Sequence, residues 1–144
     1  GRVDRQSLIS AVDLLPTFCE IAGVALPDDY TPDGVSQVQT LKGESAPLRE
    51  KPLFWKSAAA WPPPRNRPDH WVSYAVVHGK WKLVTNRDGG HVELFDIAAD
   101  PYEARDLKSD QADVVAALLA RLENWKATLP ARPTGDVFSI ERTR

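Results

Sequence analysis

The sequence has no methionine and a single cysteine, Cys19, among its 144 residues. One thiol cannot form an internal disulfide, so a disulfide scaffold is excluded and the redox compartment stays undetermined. Cys19 lies in the apolar run 14–24, where a thiol packs as a small hydrophobic side chain. An independently translated product normally begins with methionine, and its absence predicts that this chain is a piece of a longer polypeptide.

The sequence also lacks a long apolar run and an excess of either charge. No stretch approaches the roughly 20 apolar residues of a membrane span, and positions 1–5 show no signal-peptide pattern, so no membrane partner is expected. Lys and Arg number 18 against 20 for Asp and Glu. Because the basic residues form no cluster that could neutralise a row of phosphates, nucleic acid is not expected as a partner either.

What is present is the composition of an ordinary globular domain, with 42% hydrophobic residues and enough length for a core without a structural metal. The first helix is predicted over about residues 10–22, and Gly23 would end it. Its apolar side chains recur at helical spacing, at Leu14, Leu15, Phe18 and Ile21. Residues 27–52, rich in Pro, Gly, Asp and Ser, predict a long connection with one short helical turn at 36–41.

Four strand-like runs follow, and short connections join the last three. The runs cover residues 52–57, 74–78, 80–85 and 92–97. Because such short turns require antiparallel neighbours, we predict a four-stranded antiparallel sheet, half-buried by the alternation of its side chains. The amphipathic run 112–128 predicts a helix across one face, so the expected fold class is α+β. Residues 137–140 could add an edge strand.

Several short motifs occur in a specific order along the chain. They are Ser10-Ala11-Val12-Asp13-Leu14-Leu15-Pro16-Thr17, Asp33-Gly34-Val35-Ser36, Leu53-Phe54-Trp55, Gly79-Lys80-Trp81-Lys82-Leu83-Val84, Glu93-Leu94-Phe95-Asp96-Ile97 and Asp100-Pro101-Tyr102-Glu103. Read together, they resemble the region that follows the catalytic core of formylglycine-dependent sulfatases. The resemblance implies that residues 1–51 are the end of that core and a connecting segment, 52–130 a C-terminal subdomain, and 131–144 a tail.

The resemblance further implies an alkaline-phosphatase-like hydrolase of sulfate esters. In that family a large N-terminal domain binds calcium and carries a formylglycine made from Cys or Ser, so neither cofactor nor a catalytic residue is expected in this chain. The expected partners are the missing N-terminal catalytic domain and a sulfated substrate, and the isolated chain should be inactive. A periplasmic or secreted location is implied in the same way. The alternative is a stand-alone carbohydrate-binding or interaction module without catalysis.

One segment, Ser45-Ala46-Pro47-Leu48-Arg49, contains the family's Cys-or-Ser, x, Pro, x, Arg pattern of the nucleophile. We interpret it as a coincidence, because Leu48 replaces a small residue and Pro52 prevents the helix that should follow. Cys19 does not begin the nucleophile pattern either, because Glu20-Ile21-Ala22 follows it.

Other candidate site residues have ordinary structural explanations. Four aspartates could be taken for a calcium site, but no known loop spacing links Asp28, Asp29, Asp33 and Asp88, and such residues are typical of turns. His78 and His91 occur singly and are interpreted as packing or surface residues. Aromatic side chains on a sheet could stack on sugar rings, but packing in the core or at an interface is the prediction for the three tryptophans in matched segments: Trp55, Trp81 and Trp125.

Two departures from the family pattern stand out. Asp106 replaces an Asn that the family usually has, and residues 61–71 form a loop that we cannot match. Four prolines favour extended conformations of this loop, and Arg suits planar contact with anions, so it could reach a sulfated substrate; the alternative is a solvated loop. The candidate substrate-binding residues are Trp61, Arg65, Arg67, His70 and Trp71.

The resemblance also places the first helix against the large domain. Its apolar side chains would then be partly exposed in this chain, and apolar patches of several hundred Å² tend to find partners. We therefore expect the chain to self-associate.

Overall fold

The computed structural model describes residues 7–44, 49–57 and 71–130. Within them it has three α-helices and four strands, which confirms the predicted α+β class. The elements are α1 (Leu14–Ala22), α2 (Val38–Lys42), β1 (Leu53–Lys56), β2 (Tyr74–His78), β3 (Trp81–Thr85), β4 (Val92–Asp96) and α3 (Ala112–Thr128). The predicted edge strand at 137–140 lies outside the described residues. No helix in the described part of the chain is long and apolar enough to cross a membrane.

Helix α1 begins later than predicted, because a 3₁₀ turn over Ala11–Asp13 precedes it. The backbone N–H of Ser10 donates to the Asp13 carboxylate at 2.8 Å and fixes this entry. Pro16 then falls in the first turn of α1, where its missing N–H removes no helical hydrogen bond. Gly23 ends the helix as predicted, with φ of 66° in the left-handed region that favours glycine.

The four strands form one antiparallel sheet in chain order, β1-β2-β3-β4, as predicted. The register places Val76 opposite Leu83, and Leu83 opposite Leu94 on the next strand. These three buried side chains make a row across one face of the sheet. On that face they join Leu118 and Leu122 of α3 in a single buried cluster, so the helix covers the sheet as predicted.

The tryptophans divide between the two faces of the sheet. Trp125 of α3 stacks on Phe54, with ring centroids 5.1 Å apart, and Trp81 packs against the buried cluster, which confirms their predicted packing. Trp55 does not lie in the core. It is next to Phe54 on β1, so the alternation of a strand turns it to the opposite face, where it is 42% exposed.

The face away from α3 is also apolar, so the sheet is not half-solvated as its partial alternation suggested. Four side chains on it are only 4–6% exposed, namely Leu53, Val77, Val84 and Phe95. Both faces of the sheet therefore carry buried residues.

Candidate functional site

A buried ion pair joins the start of α1 to the segment that leads into β1. The two oxygens of Asp13 lie 2.7 and 2.8 Å from Nη1 of Arg49, and Oδ1 also accepts from the backbone N–H of Val35 at 2.9 Å. The side chains of Asp13 and Arg49 are 1% and 6% exposed. Three separate segments thus meet at the Asp13 carboxylate, and we call this contact the joint.

The same joint uses other residues of the sulfatase-like motif. The hydroxyl of Thr17 donates to the carbonyl of Asp13 at 2.6 Å and accepts from the N–H of Gln37 at 3.0 Å. Gly34 passes so close to the turn before α1 that an added Cβ would lie 2.0 Å from the carbonyl oxygen of Val12. These motif residues therefore have a structural role, holding α1 to the connection after it.

The charge state of the joint follows from its contacts. Burial alone would raise the pKa of Asp13, but the N–H groups of Val35 and Ser10 and the guanidinium of Arg49 outweigh it and lower the pKa below its usual 3.8. Asp13 is thus a carboxylate at neutral pH, and its oxygens are already occupied by donors. It is suited to hold structure and not to accept a proton in a reaction.

Helix α1 carries large apolar side chains that are exposed to solvent. Four of them are 48–62% exposed, and we call them the α1 face: Leu14, Leu15, Phe18 and Ile21. Beside it a hollow of about 640 Å³ is lined by Leu15, Cys19 and the segment Val24–Pro27, with Asp29 and Tyr30. The exposure that we expected for this helix is confirmed.

A second concavity, which we call the sheet hollow, lies on the face of the sheet away from α3. It has a volume of about 410 Å³, and Trp55, Val77 and Ile97 contribute to its apolar walls. One wall is an ion pair, in which Nζ of Lys82 lies 2.5 and 2.7 Å from the carboxylate oxygens of Glu103. Glu103 has a φ of 56°, the one residue other than glycine with positive φ in the described ranges.

Of the predicted substrate-binding residues, only Trp71 lies within the described residues. Its ring lies on that of His91, with centroids 4.0 Å apart, and Nε2 of His91 is 3.3 Å from a carboxylate oxygen of Glu93. His91 is exposed, in agreement with a surface role. Trp61, Arg65, Arg67 and His70 lie outside the described residues, as does Ser45, and their predicted roles stay predictions.

The described residues contain no group of three or more His, Cys, Asp or Glu side chains placed to hold a metal ion. Asp88 instead accepts a hydrogen bond from the N–H of Gly90 at 3.0 Å, as expected of a turn residue. Cys19 lies half-buried within α1.

A four-stranded antiparallel meander under one long helix, preceded by a capped helix with an uncovered apolar face, is the architecture that the sequence led us to expect. The chain belongs to the family described as N-sulphoglucosamine sulphohydrolase, C-terminal, whose model matches residues 1–128. The resemblance found in the sequence motifs is thereby confirmed.

Curated relatives agree with this assignment. The chain is 25% identical over 136 residues to an N-acetylgalactosamine-6-O-sulfatase of Bacteroides thetaiotaomicron, covering 85% of this chain and 24% of that protein. It is 28% identical over 132 residues to arylsulfatase K of Mus musculus, covering 82% of this chain and 21% of that protein. The chain thus spans less than a quarter of the length of these relatives.

Solved structures show the same fold. A structure of a 2-O GAG sulfatase superposes with a TM-score of 0.55 at 27% identity, covering 78% of this chain and 23% of that one. A protein crystallised with a neocarrahexaose superposes with a TM-score of 0.60 at 24% identity, covering 81% of this chain and 24% of that one. At this identity the likeness is one of fold.

Proposed function

We propose that this chain is the C-terminal part of an enzyme that hydrolyses sulfate esters, and that a catalytic core preceding it in sequence supplies the nucleophile. The observation that carries the proposal is the family match over residues 1–128. The sulfatase relatives are much longer than this chain, and more than three quarters of their length lies outside the matched region. Formylglycine and calcium, which the resemblance to sulfatases implies, would belong to that core.

The α1 face is the surface that the core would cover. Four large apolar side chains at 48–62% exposure form a patch of the kind that marks an interaction site. Nearby, the buried Nη2 of Arg49 has no acceptor among the described residues, and an unmet buried donor is costly, at about 1–3 kcal/mol. Both observations support a contact with further polypeptide that supplies apolar side chains and a hydrogen-bond acceptor.

The substrate we propose is a sulfated saccharide. One relative of this chain is named for a sulfate on N-acetylgalactosamine and another for a sulfate on a hexuronate, which supports this class, although a third is named arylsulfatase K. Arg65 and Arg67 of the unmatched loop would contact the anionic groups of such a substrate, because a planar guanidinium can donate two hydrogen bonds to two oxygens of one anion.

The proposal is tested by comparing two proteins: the purified 144-residue chain, and a longer protein that carries the sequence preceding Gly1. We expect turnover of an aryl sulfate by the longer protein only, and Ser45→Ala in it should leave the rate nearly intact. Arg65→Ala and Arg67→Ala should weaken turnover of a sulfated oligosaccharide more than that of the aryl sulfate. Turnover by the 144-residue chain would refute the assignment of the nucleophile to the core.

The competing function is a carbohydrate-binding or interaction module, and the exposed indole of Trp55 is the observation in its favour, since aromatic faces stack on sugar rings. The sequence preceding Gly1 separates the two functions. An unrelated domain there would support the module, and a core with a formylglycine motif would support the enzyme.

A further inference from the structure

The two outer edges of the sheet differ in how their backbone groups are hydrogen-bonded. In an antiparallel sheet, alternate residues of an edge strand point their N–H and C=O groups away from the neighbouring strand. On β4 the N–H of Leu94 donates to Oδ1 of Asp106 at 3.0 Å, and its carbonyl accepts from the N–H of Leu107 at 2.8 Å. The Val92 carbonyl accepts from Nζ of Lys108 at 3.1 Å. The edge of β4 is therefore covered by the segment that follows it.

The edge of β1 has no such cover among the residues that the structure describes. The Ser57 N–H donates to the Ser73 carbonyl at 2.8 Å, so the backbone groups of Ser57 point toward β2. By the alternation of a strand, those of Phe54 and Lys56 point away from β2. Within the described ranges no hydrogen bond reaches these outward groups. An open strand edge of this kind is a template for the addition of a further strand.

Helix α3 ends beside this open edge. Trp125, in the last turn of α3, stacks on Phe54 with ring centroids 5.1 Å apart. In the same turn, Nζ of Lys126 lies 4.7 Å from the centroid of the Tyr74 ring. Tyr74 is opposite Lys56 in the register of β1 and β2. The chain that follows α3 therefore starts near the Lys56 end of β1.

That chain has the sequence of a turn and then of a strand. Leu129 leaves the helix in an extended conformation, with φ of −76° and ψ of 139°. Residues 130–136 include two prolines, a glycine and an aspartate, which favour a change of direction. The next four residues are Val137-Phe138-Ser139-Ile140, and three of them are β-branched or aromatic, as is typical of strands. At roughly 3.3 Å per residue, residues 129–136 can span up to about 26 Å, which is enough to reach β1.

We propose that residues 137–140 form a fifth strand of the sheet, hydrogen-bonded to the open edge of β1 and antiparallel to it. The direction follows from the place where α3 ends, since the chain then passes Lys56 first and runs back toward Leu53. Asp136 then lies close to Lys56, an exposed cation with no ion-pair partner in the described part of the chain. The added strand closes the second edge of the sheet against pairing with another chain. This proposal does not depend on the proposed function.

The test is amide hydrogen exchange of the 144-residue chain, measured for each residue by NMR. The N–H groups of Phe54 and Lys56 should exchange at least about tenfold more slowly than unprotected amides, because they are bonded to the added strand. The N–H of Trp55 points toward β2, so its protection reports on an intact sheet in every variant. Exchange of Phe54 and Lys56 at the rate of unprotected amides would overturn the proposal.

A pair of adjacent prolines tests whether residues 137–140 are the source of the protection. Neighbouring N–H groups of a strand point to opposite sides, so Val137→Pro with Phe138→Pro removes one hydrogen bond to β1 in either register. This variant should lose the protection of Phe54 and Lys56 and keep that of Trp55.

The matched control is Arg142→Pro with Thr143→Pro, which puts the same two prolines after the proposed strand and should leave the exchange of all three amides unchanged. Protection that survives Val137→Pro with Phe138→Pro would show that another segment covers β1, and would contradict the proposal. Protection that increases with protein concentration would assign the edge to a second copy of the chain and would contradict it as well. Equal losses in the two proline variants would also count against it.

Discussion

At the scale of single residues, Asp13 contributes to the response of the chain to acid, as do Asp96 and Asp106, whose pKa values are also lowered. Its folded pKa lies below 3.8, because the hydrogen bonds and Arg49 outweigh the effect of burial. A depressed pKa contributes stability that is present above the unfolded pKa and is lost as the pH falls through the folded pKa. We therefore expect the urea midpoint of unfolding to stay constant from pH 7 to about pH 5 and to decrease when the pH is lowered beyond about 4.

Replacing this carboxylate should remove part of that acid response. Asp13→Asn leaves the guanidinium of Arg49 buried without its counter-ion, a change that typically costs about 3–5 kcal/mol when one partner of a buried pair is removed. The double variant Asp13→Asn with Arg49→Met is the control and should recover part of the loss. Measured by urea unfolding, an Asp13→Asn protein as stable as the original at pH 7 would contradict the role of the joint.

Asp106 shows why one substitution relative to the family is tolerated. Its Oδ1 accepts from the N–H groups of Leu94 and Lys108, both at 3.0 Å, and its other oxygen is 3.1 Å from the Lys108 ammonium. An asparagine oxygen in the same place could accept both N–H groups and would lose only the exposed ion pair, which is worth about 0–1 kcal/mol.

We accordingly expect Asp106→Asn to change the free energy of unfolding by less than about 1 kcal/mol at pH 7. Asp106→Ala removes the acceptor of the Leu94 N–H and should cost about 1–3 kcal/mol. Thermal or urea unfolding of the two variants, with the original as reference, checks this order. Equal losses would show that the hydrogen bonds to Oδ1 are not what holds the edge of β4.

At the scale of elements, α3 is attached to the sheet through few side chains, of which Leu122 is fully buried. Leu122→Ala should lower the free energy of unfolding by about 2–5 kcal/mol, the range for a buried Leu in a core. Arg121→Ala, at the exposed neighbouring position, should stay within about 0.5 kcal/mol. Urea denaturation followed by circular dichroism measures both, and similar effects would contradict the packing of α3 on this face.

The elements were predictable from the sequence to different degrees, for physical reasons. The strands β2, β3 and β4 and helix α3 were predicted because short turns and strong periodicity are local signals. The face of the sheet on which Trp55 lies was not predicted. Leu53, Phe54 and Trp55 are all apolar, so the sequence of β1 does not indicate which side chains point to which face. The ion pair of Asp13 with Arg49 joins residues 36 positions apart, and no local pattern predicts such a contact.

At the scale of the whole molecule, the exposed α1 face should make the isolated chain self-associate. Phe18, at 60% exposure, is the largest side chain of that face, so Phe18→Asp should shift the chain toward the monomer. Ala117→Asp introduces the same charge on an exposed position of α3 and serves as the matched control. Sedimentation or light scattering measures the change, and a monomer at high concentration with α1 solvated would count against the assignment of this face.

The order of the strands also determines how the chain can fold. Because β2, β3 and β4 neighbour one another in chain order, the two hairpins that they form close over short separations, and folds rich in local contacts form quickly. The pairing of β1 with β2 and the contact of Asp13 with Arg49 close longer loops, at an entropic cost that grows slowly with length. The meander of β2, β3 and β4 is therefore the natural folding nucleus, and α1 joins it late.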